Sequence, residues 1–272
     1  MLVALRVDSG RAMTDAAAPR IEVRLTSDER GAVAYLTVDN RRKLNTLDRA
    51  LMTDFVRQVE ALAGRDDLRA LVLTGAGDKA FIGGADIPEM AALDPASAEG
   101  YITLVHRTCD CLRHLPVPVI ARIEGYVLGA GLEVAVSCDL RVACSRAKFG
   151  MPEVKVGIPS VVEAALIPHL IGFGHARELL MLGETIDAET ALRWGLVERV
   201  VAPEALDREI DKVLVAVLAA GPQAVRRQKQ LMREWEKLPI DRAIGVGIDA
   251  FVRAFDSDEP KRLMSAFMQR KR

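Results

Sequence analysis

Twice along this chain a strand-like apolar run ends in a cluster of small residues, and those two clusters constrain the fold more than any other feature. They are Phe81-Ile-Gly-Gly-Ala-Asp86 and Gly125-Tyr-Val-Leu-Gly-Ala-Gly-Leu-Glu133. Glycine and alanine let a ligand come close to main chain that a larger side chain would cover. At the second cluster a strand gives way to a helix, so the N–H groups near Ala130 lack intrahelical partners and sit at the positive end of the helix dipole. An oxyanion is stabilised in such a place. Taken alone, each cluster also fits a tight turn packed against a helix.

The surrounding pattern places both clusters in an α/β protein. Ile21-Glu-Val-Arg-Leu25 and Val33-Ala-Tyr-Leu-Thr-Val38 flank the turn Glu29-Arg-Gly31 and read as a β-hairpin. Behind an N-cap within Thr46-Leu-Asp48, apolar residues at Leu51, Met52, Phe55, Val56, Val59 and Leu62 keep helical spacing. Ala70-Leu-Val-Leu-Thr74 reads as a buried strand feeding the loop Gly75-Ala-Gly77. A helix over 95–114, a strand over Val117–Glu124, a helix from Gly131 and a strand over Leu140–Cys144 follow. Alternating strands and helices imply a layered, mainly parallel sheet. From Ser160 helices dominate, with 176–182, 188–192 and 206–220 as segments, and no internal repeat is visible. The expected organisation is a tail over 1–20, with Met13 as an alternative start, a core over 21–202 and a helical region over 203–272.

Charge and cysteine content narrow the function classes. The formal net charge of −1 supplies no field to attract a polyanion, so nucleic acid is not an expected partner. Cys109, Cys111, Cys138 and Cys144 have neither disulfide-framework nor zinc-site spacing, so reduced thiols and no metal are expected. The opening apolar stretch is short and no run of 18 apolar residues follows, which predicts a cytoplasmic protein without a membrane span. His106, His114, His169 and His175 are scattered over helices without a nucleophile motif and read as helix residues with local partners.

The two clusters resemble those of the crotonase (enoyl-CoA hydratase/isomerase) superfamily. Phe81-Ile-Gly-Gly-Ala-Asp-Ile-Pro-Glu-Met90 is similar to F-x-A-G-A-D-I-x-E-M. Pro118–Asp139 is similar to P-V-I-A-x-I-x-G-x-x-x-G-G-G-x-E-L-x-x-x-C-D, with Ala130 in place of a glycine. Asn40–Leu47, Phe149-Gly-Met-Pro-Glu153, Ala191–Val197 and Ala266-Phe267 extend the likeness over nearly everything after residue 21. The resemblance implies a spiral of repeated ββα units with a helical C-terminal oligomerisation region, forming homotrimers or homohexamers. It implies an acyl-CoA substrate and no separate cofactor, coenzyme A being part of that substrate.

By the same resemblance, backbone N–H groups of Ala85 and Ala130 form an oxyanion hole for the thioester oxygen. Glu133 deprotonates the water that attacks Cβ, and Glu153 supplies the proton to Cα. Lys43, Leu44, Lys79, Gly83, Gly84, Asp86, Ile87, Tyr126, Gly129, Pro152 and Phe267 contribute to substrate or CoA binding, Lys43 and Lys79 toward its phosphates. Lys271 belongs to the same matched tail, whereas Arg262-Leu263 replace a familiar Glu-Gly pair. The chain departs from the hydratase P-G-A-G-G-T after Gly157-Ile-Pro159, reading Ser160-Val-Val-Glu-Ala-Ala-Leu166. Ser160 and Glu163 have capping-box spacing, and Val161 and Val162 are expected to reshape the acyl pocket. The implied activity is hydration of a 2-enoyl-CoA. Isomerase, decarboxylase or hydrolase chemistry on the same enolate, or a non-catalytic RNA- or partner-binding role, are the alternatives.

Overall fold

Alternation over Arg20–Asp28 (β1) and Gly31–Asp39 (β2) gives the antiparallel hairpin, closed by Glu29 and Arg30 with Asp28 opposite Gly31. The computed structural model describes residues 18–270. Most of the expected tail, including Met13, and Lys271 lie outside them. Helix α1 (Arg49–Ala63) begins at Asp48, whose side chain accepts from the Leu51 N–H at 2.8 Å, and buries the apolar stripe read from the sequence.

Three strand pairs then repeat one arrangement. β3 (Leu68–Gly75) and β4 (Ala80–Ile82) lead to helices α2 (Ile87–Ala91) and α3 (Pro95–His114). β5 (Val119–Ile123) and β6 (Tyr126–Leu128) lead to α4 (Ala130–Val136). β7 (Leu140–Cys144) and β8 (Lys148–Gly150) lead through two 3-10 segments, Pro152–Val156 and Val162–Leu166, to α5 (Ile167–Leu182). β9 (Thr185–Asp187), α6 (Ala188–Trp194) and β10 (Arg199–Val201) close the core. The longer strand of each pair joins a sheet ordered β1-β2-β3-β5-β7-β10, and the three-residue strand joins a second sheet ordered β4-β6-β8-β9. This is the ββα spiral, a repeat of placement rather than of residues, which is why no period shows in the sequence. Apart from β1–β2 and β8–β9, the pairings are parallel.

Turning from one sheet to the other brings backbones close. A Cβ on Gly131 would lie 2.0 Å from the Ile82 carbonyl oxygen, so α4 can seat against β4 only with glycine there. The C-terminal helices are α7 (Leu206–Ala219), α8 (Pro222–Trp235), α9 (Ile240–Ala254) and α10 (Glu259–Arg270). α8 is fastened to the core by Lys229, whose buried Nζ donates to the carbonyls of Leu112 (2.9 Å) and Val117 (3.0 Å) and to Asp139 Oδ2 (2.7 Å). No helix among the described residues is long and apolar enough to cross a membrane.

Removing Lys229 leaves two carbonyls without their donor and takes the cation from Asp139, whose Oδ2 keeps only the Val119 N–H. Lys229→Ala is therefore expected to lower unfolding free energy by about 3 kcal/mol, the low end for a broken buried pair because Asp139 is partly wet. A urea melt against wild type measures the loss.

Candidate functional site

The carboxyl end of β4 and the β6–α4 turn face each other across a cavity of about 170 Å3. From the first come Gly83, Gly84, Ala85 and Ile87, and from the second Gly129, Ala130 and Glu133. Pro152 and Glu153 complete one side. Apart from Thr46 and the Tyr101 hydroxyl the rest of the wall is apolar, with Met90, the Tyr101 ring, Ile102, Val105, Leu128, Val156, Ile158 and Val161. Tyr101, Ile102 and Val105 share one face of α3 through their helical spacing, a signal present in the sequence but not tied to this site until the spiral places α3 over it.

Backbone pairing orients the two amides. Leu47 bridges the carboxyl end of β4 by donating to Gly84 O and accepting from the Asp86 N–H, both at 2.9 Å. In a parallel bridge of this kind the residue between, Ala85, turns its own N–H to the other side. Among the described residues neither the Ala85 nor the Ala130 N–H has a protein acceptor. The turn before Ala130 is fixed by Gly129, at φ 52 and ψ −125, a conformation that favours glycine. A Cβ at Gly129 would also lie 2.6 Å from Glu153 Oε1, so the carboxylate occupies the space a side chain would fill.

The carboxyl groups sit in unlike surroundings. α4 is buried at all its residues, so Glu133 is only 4% exposed. Burial first, then the neighbouring Glu153 and Glu163, pushes Glu133 up to about 8. Glu153 is also raised by burial, but its own backbone and the Ser160 hydroxyl, donating to Oε2 at 2.9 Å, pull it down. Of the two, the surroundings favour the protonated form more at Glu133 than at Glu153.

The profile of the enoyl-CoA hydratase/isomerase family matches residues 28–272. The chain belongs to this family. It is 37% identical over 250 residues to a crotonyl-CoA hydratase of Syntrophomonas wolfei, covering 91% of this chain and 95% of the relative. It is 33% identical over 246 residues to a short-chain-enoyl-CoA hydratase of Clostridium acetobutylicum, covering 90% and 94%. An enoyl-CoA hydratase of Bacillus anthracis superposes with a TM-score of 0.87 at 28% identity, over 92% of this chain and 96% of that one.

Several residues that the hydratase/isomerase resemblance assigns to CoA binding lie outside the cavity wall. Lys43 Nζ contacts Asp86 Oδ2 at 2.8 Å, while Asp86 Oδ1 caps α2 by accepting from the Glu89 N–H. Leu44 acts through its carbonyl, which accepts from the Gly83 N–H at 2.8 Å and braces the loop. Lys79 and Tyr126 are exposed on the strand ends outside the wall, and Phe267 lies on the outer surface of α10.

The departure from the hydratase pattern behaves differently from its sequence reading. Ser160 and Glu163 do not form a capping box. Val161 is extended and Val162 has φ 41, so the 3-10 helix starts at Val162 with Val161 as its uncapped N-cap. Ser160 instead reaches Glu153, and Glu163 is buried with Oε1 2.7 Å from His106 Nδ1. His106, read as a satisfied helix residue, finds its partner in Glu163 and thus belongs to the surroundings of the carboxyl pair. Val161 lines the cavity as expected, whereas Val162 packs against the core.

The raised Glu133 makes stability depend on pH. Its folded value of about 8 exceeds the ordinary 4.5, so the folded state binds this proton more tightly. The resulting stability is complete below about 4.5 and is lost as pH climbs to 8. Glu133→Gln removes that dependence, and should match wild type near pH 4.5 yet become more stable by roughly 2–4 kcal/mol above pH 8. Denaturant melts of both proteins across this range measure the divergence.

Proposed function

We propose that this protein hydrates 2-enoyl-CoA thioesters. The observation that carries the reading is the meeting, in one largely apolar cavity, of two partnerless backbone N–H groups with one buried and one partly buried glutamate. Hydration needs both parts. The thioester oxygen accepts from Ala85 and Ala130, whose fixed amides stabilise the charge as it grows. A carboxylate takes a proton from water, and the water oxygen bonds to Cβ. The π electrons pass through Cα to the thioester oxygen as an enolate, which then collapses and takes a proton at Cα from the other carboxyl. Glu133 receives the water proton and Glu153 gives the second. Addition therefore starts from the form with Glu133 ionised and Glu153 protonated; it leaves Glu133 protonated, the arrangement its burial favours, and that proton passes back from Glu133 to Glu153 before the next addition. The reaction assigns no separate cofactor, since coenzyme A arrives with the acyl group. The names of the relatives from Syntrophomonas and Clostridium favour short-chain enoyl groups.

Loss of the conjugated enoyl absorbance of crotonyl-CoA tests the activity. Wild type is expected to turn over, while Glu133→Gln and Glu153→Gln each lose on the order of a hundredfold or more in kcat. A wild type that binds but does not hydrate any enoyl-CoA overturns the reading, and variants as active as wild type overturn the role of the pair.

Homo-oligomerisation, as trimers or trimers paired into hexamers, is the second part of the proposal, and the C-terminal helices support it. Ile240, Ile244, Ile248, Phe251 and Phe255 form one exposed stripe on α9, with Ile240 at 78% and Phe251 at 67%. Such a stripe is stable when it meets another copy. Light scattering is expected to give at least three chains per particle, and Ile244→Glu with Phe251→Glu to give monomers. A monomeric wild type contradicts the assembly.

A further inference from the structure

The segment that replaces the hydratase glycines carries two polar side chains, and each is directed at a different member of the carboxyl pair. Ser160 Oγ donates to Glu153 Oε2 at 2.9 Å. Such a bond strengthens when its acceptor is ionised, so it favours the carboxylate form. Glu163, three residues on, is only 7% exposed on a 3-10 helix that packs against α4, the helix of Glu133. Its Oε1 is held by His106, and its Oε2 is buried with no hydrogen-bond partner among the described residues. Burial raises Glu163 itself and the His106 contact lowers it again, so the charge that His106 helps it keep disfavours ionisation of Glu133.

We infer that Ser160 and Glu163 are positioning residues that polarise the pair, Ser160 holding Glu153 as the carboxylate and the Glu163–His106 couple keeping the proton on Glu133. This rests on the hydratase reading only for its catalytic consequence, since the arrangement of charge is a property of the unliganded protein. The surrounding groups fit it. From α3, His106, Cys109, Asp110 and Arg113 face Glu163, and Cys109 is pushed well above its ordinary value by burial and stays neutral. β4 and β6 place no Asp, Glu, Lys, Arg or His against α4. Glu133 itself is raised by burial and then by Glu153 and Glu163. The backbone supports the assignment independently. Val162 holds φ 41, which a β-branched residue adopts only when its neighbours fix it. That conformation, where the resembled pattern has glycine, is what separates Ser160 from the helix and turns Glu163 inward.

Carbon-13 NMR titration of the glutamate side-chain carboxyls tests the inference without substrate, with Glu133 and Glu153 assigned from their Gln variants. Ser160→Ala is expected to raise the Glu153 midpoint, and Glu163→Gln to lower the Glu133 midpoint, each by about half to one pH unit. Ser160→Thr, which keeps the hydroxyl, should retain the wild-type midpoint. In turnover, the acid limb of kcat/KM moves up in Ser160→Ala and the alkaline limb moves down in Glu163→Gln, so the double variant has a narrower bell. A merely structural role would lower activity at every pH without moving a limb. If Glu163→Gln does not fold, Glu163→Met tests the same charge. Midpoints that stay at wild-type values in folded variants overturn the inference even if hydration is observed. Shifted midpoints in a protein that hydrates nothing uphold it while the functional reading fails.

Discussion

A seven-residue helix without an exposed position determines where chemistry can occur in this molecule. α4 runs through the centre of the core, seated on β4 by the missing side chain of Gly131. Because every face of α4 is covered, the single glutamate on it must be buried, and its charge must be managed by what packs there. The same seat puts the first N–H of α4 beside the end of β4, where the Leu47 bridge has turned Ala85 outward. One close approach between backbones thus fixes the two amides of the proposed oxyanion hole and the buried acid together.

Around this point the molecule uses ion pairs and hydrogen bonds mainly to place backbone. Lys43 and Asp86 tie the entrance of α2 to the preceding loop. Asn45 links its own loop to Asn40, Ala76 and Ala80 through one buried amide side chain. These contacts lie at the rim of the cavity, so a loop that reads as ligand-binding also serves as the frame of the β4 turn. Both roles demand the same residues in the same places, and a sequence alone does not separate them.

What was legible in the chain was what depends on local pattern. The hairpin, the stripe of α1 and the strand Leu140–Cys144 followed from periodicity and end signals. The two amide positions came from the likeness of the paired glycine clusters to the family motifs, since each cluster taken alone also fits a tight turn. The division into two sheets was not legible, since β4, β6 and β8 are three residues each and carry no alternation of their own. Ser160 and Glu163 failed as a capping box for a related reason. Their spacing assumes helical backbone from the first residue, and tertiary packing imposed a positive φ at Val162 instead. His106 gave no signal because its partner is 57 residues away.

The hairpin that opens the core also governs how far the large sheet extends. Among the described residues β1 is its outermost long strand, and one side of its backbone is unpaired. Along it Arg20, Glu22 and Arg24 alternate with Ile21 and Val23, and all three charged residues are less buried than Ile21. A foreign strand adding there would have to strip water from charges at every second position. The opposite edge, β10, offers only three residues to pair with. Growth by strand addition is thus discouraged at both ends, and most of the apolar surface left open among the described residues lies on helices, where contact is made by side chains in a limited geometry rather than by an open-ended ladder.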